Sequence, residues 1–508
     1  MPIVRWPREL VLVSGLALLT AGGARGETLG DAMALAYQSN PTLQAQRATQ
    51  RALDETYVQA MANLRPQITV TSTVSSESNN ITGDTGRLPN RTQLNSNSIQ
   101  ISQPLYTGGR IEADISAAVA GVLAGRETLR AAEETTLQNV VQVYVDVRRD
   151  QESVEIAQEN VELLQRQLDE SHSRFAVGDI TRTDVAQTQT RVSAARAQLA
   201  NAQAQLATSR ATYLSVVGEN PGTLAPEPPL AKLLPDDIDK ALDMAEQNSP
   251  HIREADYTEQ SSAAKVAEAK AQTRPSLSLQ ATLGYYGGGN STPSPFSNVQ
   301  PQVSPFIDYS RDITATASAS FPLFSGGYYS SQIRQAAENN NVDRINIETT
   351  RRQVLLTVSQ AWNQLVGARA SLAADEEQVQ AANIAFEGTR QEARVGLRTT
   401  LDVLISEEDL ANAQLALVGA RHDEYFAAAA LLAAMGSLEA TDFVPDLEVY
   451  DPRTNFDHVK NANRMPWDGL VEFLDRQAAP RIIERPATVR VDDDPKDPAP
   501  DKDPAPDQ

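Results

Sequence analysis

The side chains of this chain that could do chemistry come in duplicate. Residues 174–184 read Arg-Phe-Ala-Val-Gly-Asp-Ile-Thr-Arg-Thr-Asp, and residues 392–402 read Glu-Ala-Arg-Val-Gly-Leu-Arg-Thr-Thr-Leu-Asp, so Gly178 and Gly396, and Asp184 and Asp402, lie 218 positions apart. Taken singly, Asp402 is a surface carboxylate; the duplication is what singles it out. Other groups lead nowhere chemically. Gly287-Gly288-Gly289 has no following Lys-Ser/Thr, so it reads as a loop and not a phosphate cradle. His172, His251, His422 and His458 are scattered with no His-x-x-x-His pair, which argues against a metal site. Glu376-Glu377 and Glu407-Glu408 read as solvated helix faces. The absence of cysteine removes disulfides, thiolate zinc sites and thiol nucleophiles. No nucleophile–base pair or nucleotide loop is present, so the reading is a protein that is not an enzyme and needs no cofactor.

The elements that must position the duplicated residues are themselves duplicated. Gln-Pro-Leu-Tyr-Thr-Gly-Gly at 103–109 returns as Phe-Pro-Leu-Phe-Ser-Gly-Gly at 321–327, again 218 positions on, whereas Arg65-Pro66 and Arg274-Pro275 are 209 apart. The second copy therefore gains nine residues between the prolines and the glycine pair. Only 5% of residues are aromatic, as expected of long helices packed through small side chains. Arg5 and Arg8 before the apolar run from Leu10 to Leu19, then small residues up to Gly26, predict a signal peptide over 1–26 and an exported protein of the bacterial envelope. The last 18 residues carry seven Asp and two Lys among repeated prolines, predicting a disordered acidic tail over 491–508. A net charge of −22 without a basic cluster excludes nucleic acid as a partner.

Periodicity changes along each copy in one order. Residues 41–64 and 250–273 predict helices running into Arg-Pro. Alternation follows at Ile68, Val70 and Val74 and from Leu277 to Tyr285; it returns at Ile99 and Ile101 and from Ile313 to Ala319. Each copy is thus expected to hold two strands of about 10–14 residues, the span of a tilted membrane strand, joined by polar loops at 75–97 and 286–310. A heptad then sets in at Val140, Val147, Val154, Val161 and Leu168, matched by Val358, Leu365, Leu372, Val379 and Phe386, and demands left-handed coiled-coil packing. Four strands cannot close a transmembrane barrel, since the smallest have about 8, so several chains must share one. An envelope coiled-coil protein with incidental hairpins, or an envelope enzyme, is the alternative.

Over 27–440 these residues resemble the TolC-type outer-membrane efflux proteins. The duplicated element order, the Pro-Leu-(Tyr/Phe)-x-Gly-Gly strand ends and Arg-Phe-Ala-Val-Gly before the return helix carry the likeness. The resemblance implies a mainly α protein with a membrane β-barrel: a homotrimer whose 12-stranded barrel in the outer membrane continues into a 12-helix periplasmic coiled-coil α-barrel. Its organisation would be a first repeat over 27–230, a second over 231–440, and an equatorial, C-terminal segment over 441–490, with short helices near 28–39 and 237–248. It implies a passive exit duct for efflux or type I secretion, set in outer-membrane lipid. The partners would be a periplasmic adaptor and an inner-membrane pump of RND, ABC or MFS type. The helical turns at Val177-Gly178 and Val395-Gly396 would dock the adaptor. The ring Asp of the family's gate falls on Asp402, the linking Arg on Arg398 and its partners on Thr183 and Asp184. A second ring Asp is replaced by Ile405 and a linking Tyr by Ala393, implying a less acidic, less tightly latched gate.

Overall fold

The computed structural model describes residues 26–83, 86–291 and 309–462, with Gly469 and Phe473. The expected signal peptide and acidic tail, and all but the first part of the 441–490 segment, lie outside the described residues. Elements follow one order twice: α1 (Leu29–Ser39), α2 (Pro41–Ala62), β1 (Gln67–Gly83), β2 (Gly86–Tyr106), α3 (Arg110–Ala176) and α4 (Arg182–Val217), then α5 (Ile238–Asn248), α6 (Pro250–Ala271), β3 (Ser276–Ser291), β4 (Tyr309–Ser320), α7 (Tyr328–Arg394) and α8 (Thr400–Ala434). A last helix, α9 (Pro452–Ala462), follows. Both α2 and α6 open on proline, whose fixed φ suits the first helical position, and both stop before Arg-Pro. The heptad segments emerge as two helices of 67 residues, each about 100 Å long at ~1.5 Å per residue.

The chain divides into two compact units, one made of residues 1–45, 131–249 and 354–449, the other of 46–130, 250–353 and 450–508. The second unit holds the sheet, an antiparallel meander in the order β1-β2-β3-β4. Its ladder pairs Ile68 with Ile101, Ile101 with Ala281 and Ala281 with Ala315, and Val70 with Ile99, Ile99 with Leu283 and Leu283 with Ile313, so these apolar residues share one face. Gln67, Thr69, Thr71, Ser98, Gln100, Gln280 and Thr316 occupy the other face. Beneath the sheet, Ala60, Met61 and Leu64 at the end of α2 pack on Ile111 and Ile115 at the start of α3. Gly108 has φ +70°, and a Cβ there would lie 2.7 Å from that of Arg274, whose guanidinium donates to the Gly108 carbonyl at 3.1 Å. On α9, Asn455 donates to Asp54 at 2.6 Å and Phe456 lies against Tyr57, anchoring that helix on α2.

The polar segment 75–97 is not a loop. It continues β1 and β2 as a paired hairpin as far as Gly83 and Gly86, and β3 likewise runs on through Gly287-Gly288-Gly289 to Ser291. The strands accordingly reach 17, 21, 16 and 12 residues, beyond the expected length in three of four. Alternation reports a strand only where one face is apolar; when both faces meet water the pattern vanishes while the backbone ladder continues. Residues 292–308 of the second expected loop lie outside the described residues.

In the first unit, Tyr144 and Tyr213 are wholly buried between α3 and α4. Tyr144 donates to the carbonyls of Glu27 (2.9 Å) and Ala225 (2.7 Å), and Tyr213 to the Glu27 carboxylate at 2.6 Å, tying the start of the described chain to the helix pair. His422 of α8 bridges Asp146 of α3 at 3.0 Å and Asp423 at 2.8 Å. Burial opposes its protonation, but the two carboxylates prevail and hold its pKa above the usual histidine value.

Candidate functional site: two capped helical turns

The duplicated motif residues form the α3–α4 and α7–α8 turns, both in the first unit. Gly178 and Gly396 reverse the chain at φ +79° and +78°, the left-handed region that glycine enters without a Cβ penalty. Each return helix then opens with a capping box. Thr181 donates backbone N–H and hydroxyl to Asp184 Oδ2, both at 2.8 Å, and its hydroxyl accepts from the Asp184 N–H at 3.3 Å. Thr399 and Asp402 repeat this at 3.0, 2.8 and 3.2 Å. These bonds from Thr399 hold the Asp402 carboxyl below the ordinary aspartate value, and Thr181 does the same for Asp184.

The expected bond from Arg398 to Thr183 or Asp184 is not made within the chain. Arg398 turns back to Glu392 of its own turn, Nε to Oε2 at 2.9 Å, and Asp184 is engaged by its cap. A nearby acid six residues away is reached without ordering a second hairpin, so the local pair wins over the distant one. Thr183 is exposed on the first turn of α4. The tie between hairpins lies deeper: Arg191 of α4 pairs with Glu408 of α8, beside a cluster of Leu164, Leu168, Val192, Ala195 and Leu404. Sequence reasoning missed this pair because a Glu-Glu dipeptide on a long helix carries no sign of which face it occupies.

Glu407 corrects the reading of that dipeptide as a solvated face. It is only 4% exposed, and its Oε1 has no hydrogen-bond partner. Burial pushes its pKa up to about 7, Arg390 drawing it part of the way back. At the tips the reverse holds: Val177 is 81% exposed, Leu397 75%, and Val395, Leu401 and Ile405 also face outward. Among the described residues no group of three or more His, Cys, Asp or Glu could hold a metal ion.

Both turns fall within the segments matched by the family described as outer membrane efflux protein, residues 32–219 and 241–437. The chain belongs to the outer membrane efflux protein family. The outer membrane efflux protein BepC of Brucella suis biovar 1 is 33% identical over 460 residues, covering 91% of this chain and 95% of that one. The outer membrane protein TolC of Escherichia coli K12 is 25% identical, over 83% and 84% of the two chains. The fold is also that of the crystallised channel protein CusC, with a TM-score of 0.67 at 19% identity, covering 83% of this chain and 96% of that chain. As a member of the outer membrane efflux protein family, the chain is an outer-membrane exit duct of a Gram-negative bacterium.

Proposed function

We propose that three copies of this chain close one 12-stranded barrel in the outer membrane, continued by a 12-helix coiled-coil barrel in the periplasm. The observation that carries it is the sheet. Among the described residues its outer strands β1 and β4 each have a free edge, while the apolar face stands open, Val70 being 73% and Ile313 66% exposed. Free edges and exposed apolar side chains are both costly in isolation and are both satisfied by closure in lipid. With β1 and β4 running in opposite directions, β4 of one copy meets β1 of the next antiparallel, as in known barrels. Phe321, Phe324 and Tyr328, exposed at the strand–helix junction, supply the interfacial aromatic belt.

Under threefold symmetry three Asp402 carboxylates converge at the periplasmic end, and Ile405 one turn on gives an apolar ring. The duct takes its substrate from an inner-membrane pump of RND, ABC or MFS type through a periplasmic adaptor. The exposed Val177-Gly178 and Val395-Gly396 turns offer that adaptor apolar tips; efflux and type I secretion are equally served. No catalytic step is required, since the pump supplies the energy. Native mass spectrometry and planar-bilayer recording of the purified channel test this: a trimer with cation-selective conductance reduced in selectivity by Asp402→Ala is expected. A monomer, or selectivity untouched by that substitution, overturns it.

A further inference from the structure

Helix α8 meets its neighbours through two titratable contacts, and all the groups concerned lie in the first unit. In the first, His422 is set between two carboxylates: Nε2 stands 3.0 Å from Asp146 Oδ1 of α3, and Nδ1 2.8 Å from Asp423 Oδ1 of α8. A neutral imidazole carries one N–H and serves one carboxylate, whereas the imidazolium carries two. The bridge from α8 to α3 is therefore complete when His422 is protonated. Burial opposes that protonation, and so does Arg149 of α3, which lies 3.0 Å from Asp146 and 2.8 Å from Asp150; the two carboxylates beside the ring outweigh both. The other charges near it are engaged: Arg421 of α8 pairs with Glu152 of α3 at 3.6 Å, and Glu424 of α8 with Arg369 of α7 at 3.2 Å. From α4, the uncharged Ser209 donates to Asp150.

The second contact lies fifteen positions earlier, about 22 Å along the helix at ~1.5 Å per residue. There Glu407 is buried with Oε1 unpartnered. Beside it on α8, Leu404 packs on Leu164 and Leu168 of α3 and Val192 of α4, while Glu408 holds Arg191 of α4. From α7, Arg390 acts on Glu407 while pairing with Glu387 at 3.8 Å. Ionisation would put charge on a buried oxygen with no hydrogen-bond partner, so the neutral acid is the form that fits this seam. The two contacts therefore share a sign. Each is sound in its protonated form and weakens as pH rises through neutrality, His422 by ceasing to be a cation and Glu407 by becoming an anion.

We infer that α8 is an acid-locked strut of the duct: in acid both contacts hold it against α3 and α4, and at rising pH both release, freeing the α7–α8 hairpin that carries Asp402. The inference rests on the reading of that turn as part of the periplasmic aperture.

Planar-bilayer recording of the full-length channel from about pH 5.5 to about pH 8.5, a range that spans both titrations, tests it. Wild-type open probability is expected to rise about tenfold across the range, the effect of one pKa unit of coupling. The two single variants should act in opposite senses. His422→Gln, which cannot become a cation, should open the channel more at the acid end; Glu407→Gln, which cannot ionise, should keep it more closed at the alkaline end. The double variant should respond little to pH. A flat wild-type profile, an undiminished response in the double variant, or single variants that shift opening in the same sense overturns the inference. If a variant does not assemble, the otherwise wild-type chain decides: spin labels on Gln189→Cys and Asp409→Cys, exposed positions in a chain without cysteine, should move apart over the same range, and an unchanged distance overturns the strut. A trimeric, conducting channel without a pH response removes the strut and leaves the duct standing, whereas a monomer in native mass spectrometry removes the duct itself.

Discussion

The two helical turns are copies of one design that have kept the backbone and exchanged the charges. Glycine at 178 and 396, threonine at 181 and 399, and aspartate at 184 and 402 are common to both, each required by a left-handed reversal or by a capping box. Between them the chemistry inverts. Arg174 pairs forward to Asp179 at 2.7 Å in the first turn, while Glu392, at the equivalent position, pairs forward to Arg398 in the second. Where the first tip carries Asp179, the second carries the exposed Leu397. Deeper in, Gln189 is exposed on α4, yet its counterpart Glu407 is buried on α8. Duplication thus retains what the backbone needs and leaves the contact surfaces free to diverge: the first tip sets a charged Asp179 beside Val177, while the second sets Leu397 beside Val395 and adjoins a titratable core.

The largest effect on this comparison should come from the tie between hairpins. Arg191→Ser removes the α4–α8 ion pair, and single-channel conductance in planar bilayers should rise several-fold. Arg398→Ser breaks only a contact within one turn and should change conductance little. If the order is reversed, Arg398 reaches another copy on closure and the local pair with Glu392 is incidental.

Glu407→Gln would make the second copy like the first. A carboxyl whose folded pKa is raised from 4.5 to about 7 contributes stability that is present below the unfolded value and lost as pH rises through the folded one. The substitution should therefore raise stability above pH 7 by roughly 3 kcal/mol, at 1.36 kcal/mol per pH unit, and have little effect near pH 4. Chemical denaturation at the two pH values measures it, and a gain of equal size at both would show that shape, not charge, is responsible.

Smaller and matched effects should follow at the caps. Thr181→Ala and Thr399→Ala should each cost about 1 kcal/mol, and equally, because the two boxes have the same geometry. Unequal losses in thermal unfolding would mean that one turn carries a load the other does not. Smallest of all, Arg174→Gln and Glu392→Gln should leave thermal stability nearly unchanged, since both pairs are exposed and salt-screened. His422 supplies a pH effect outside the turns. Its folded pKa lies above 6.5, so its bridge to Asp146 contributes below that value and is lost as pH rises through the raised one. His422→Gln should flatten that part of the stability profile.

Much of this was legible in the chain itself. The glycines and capping Thr–Asp pairs are local demands of backbone geometry, so they appear in sequence at the spacing the turns require. The heptad that produced α3 and α7 is as local, because a helix presents residues seven apart along one stripe. The strands were legible only where one face met an apolar surface, which is why β1 and β2 outran their reading at Val74 and Ile99. Which partner a charge takes was not legible at all. Arg398 has Glu392 within its own turn, and Glu407 lies buried while its neighbour Glu408 meets Arg191. Each of these depends on where separate elements come to rest against one another, and that only the tertiary structure decides.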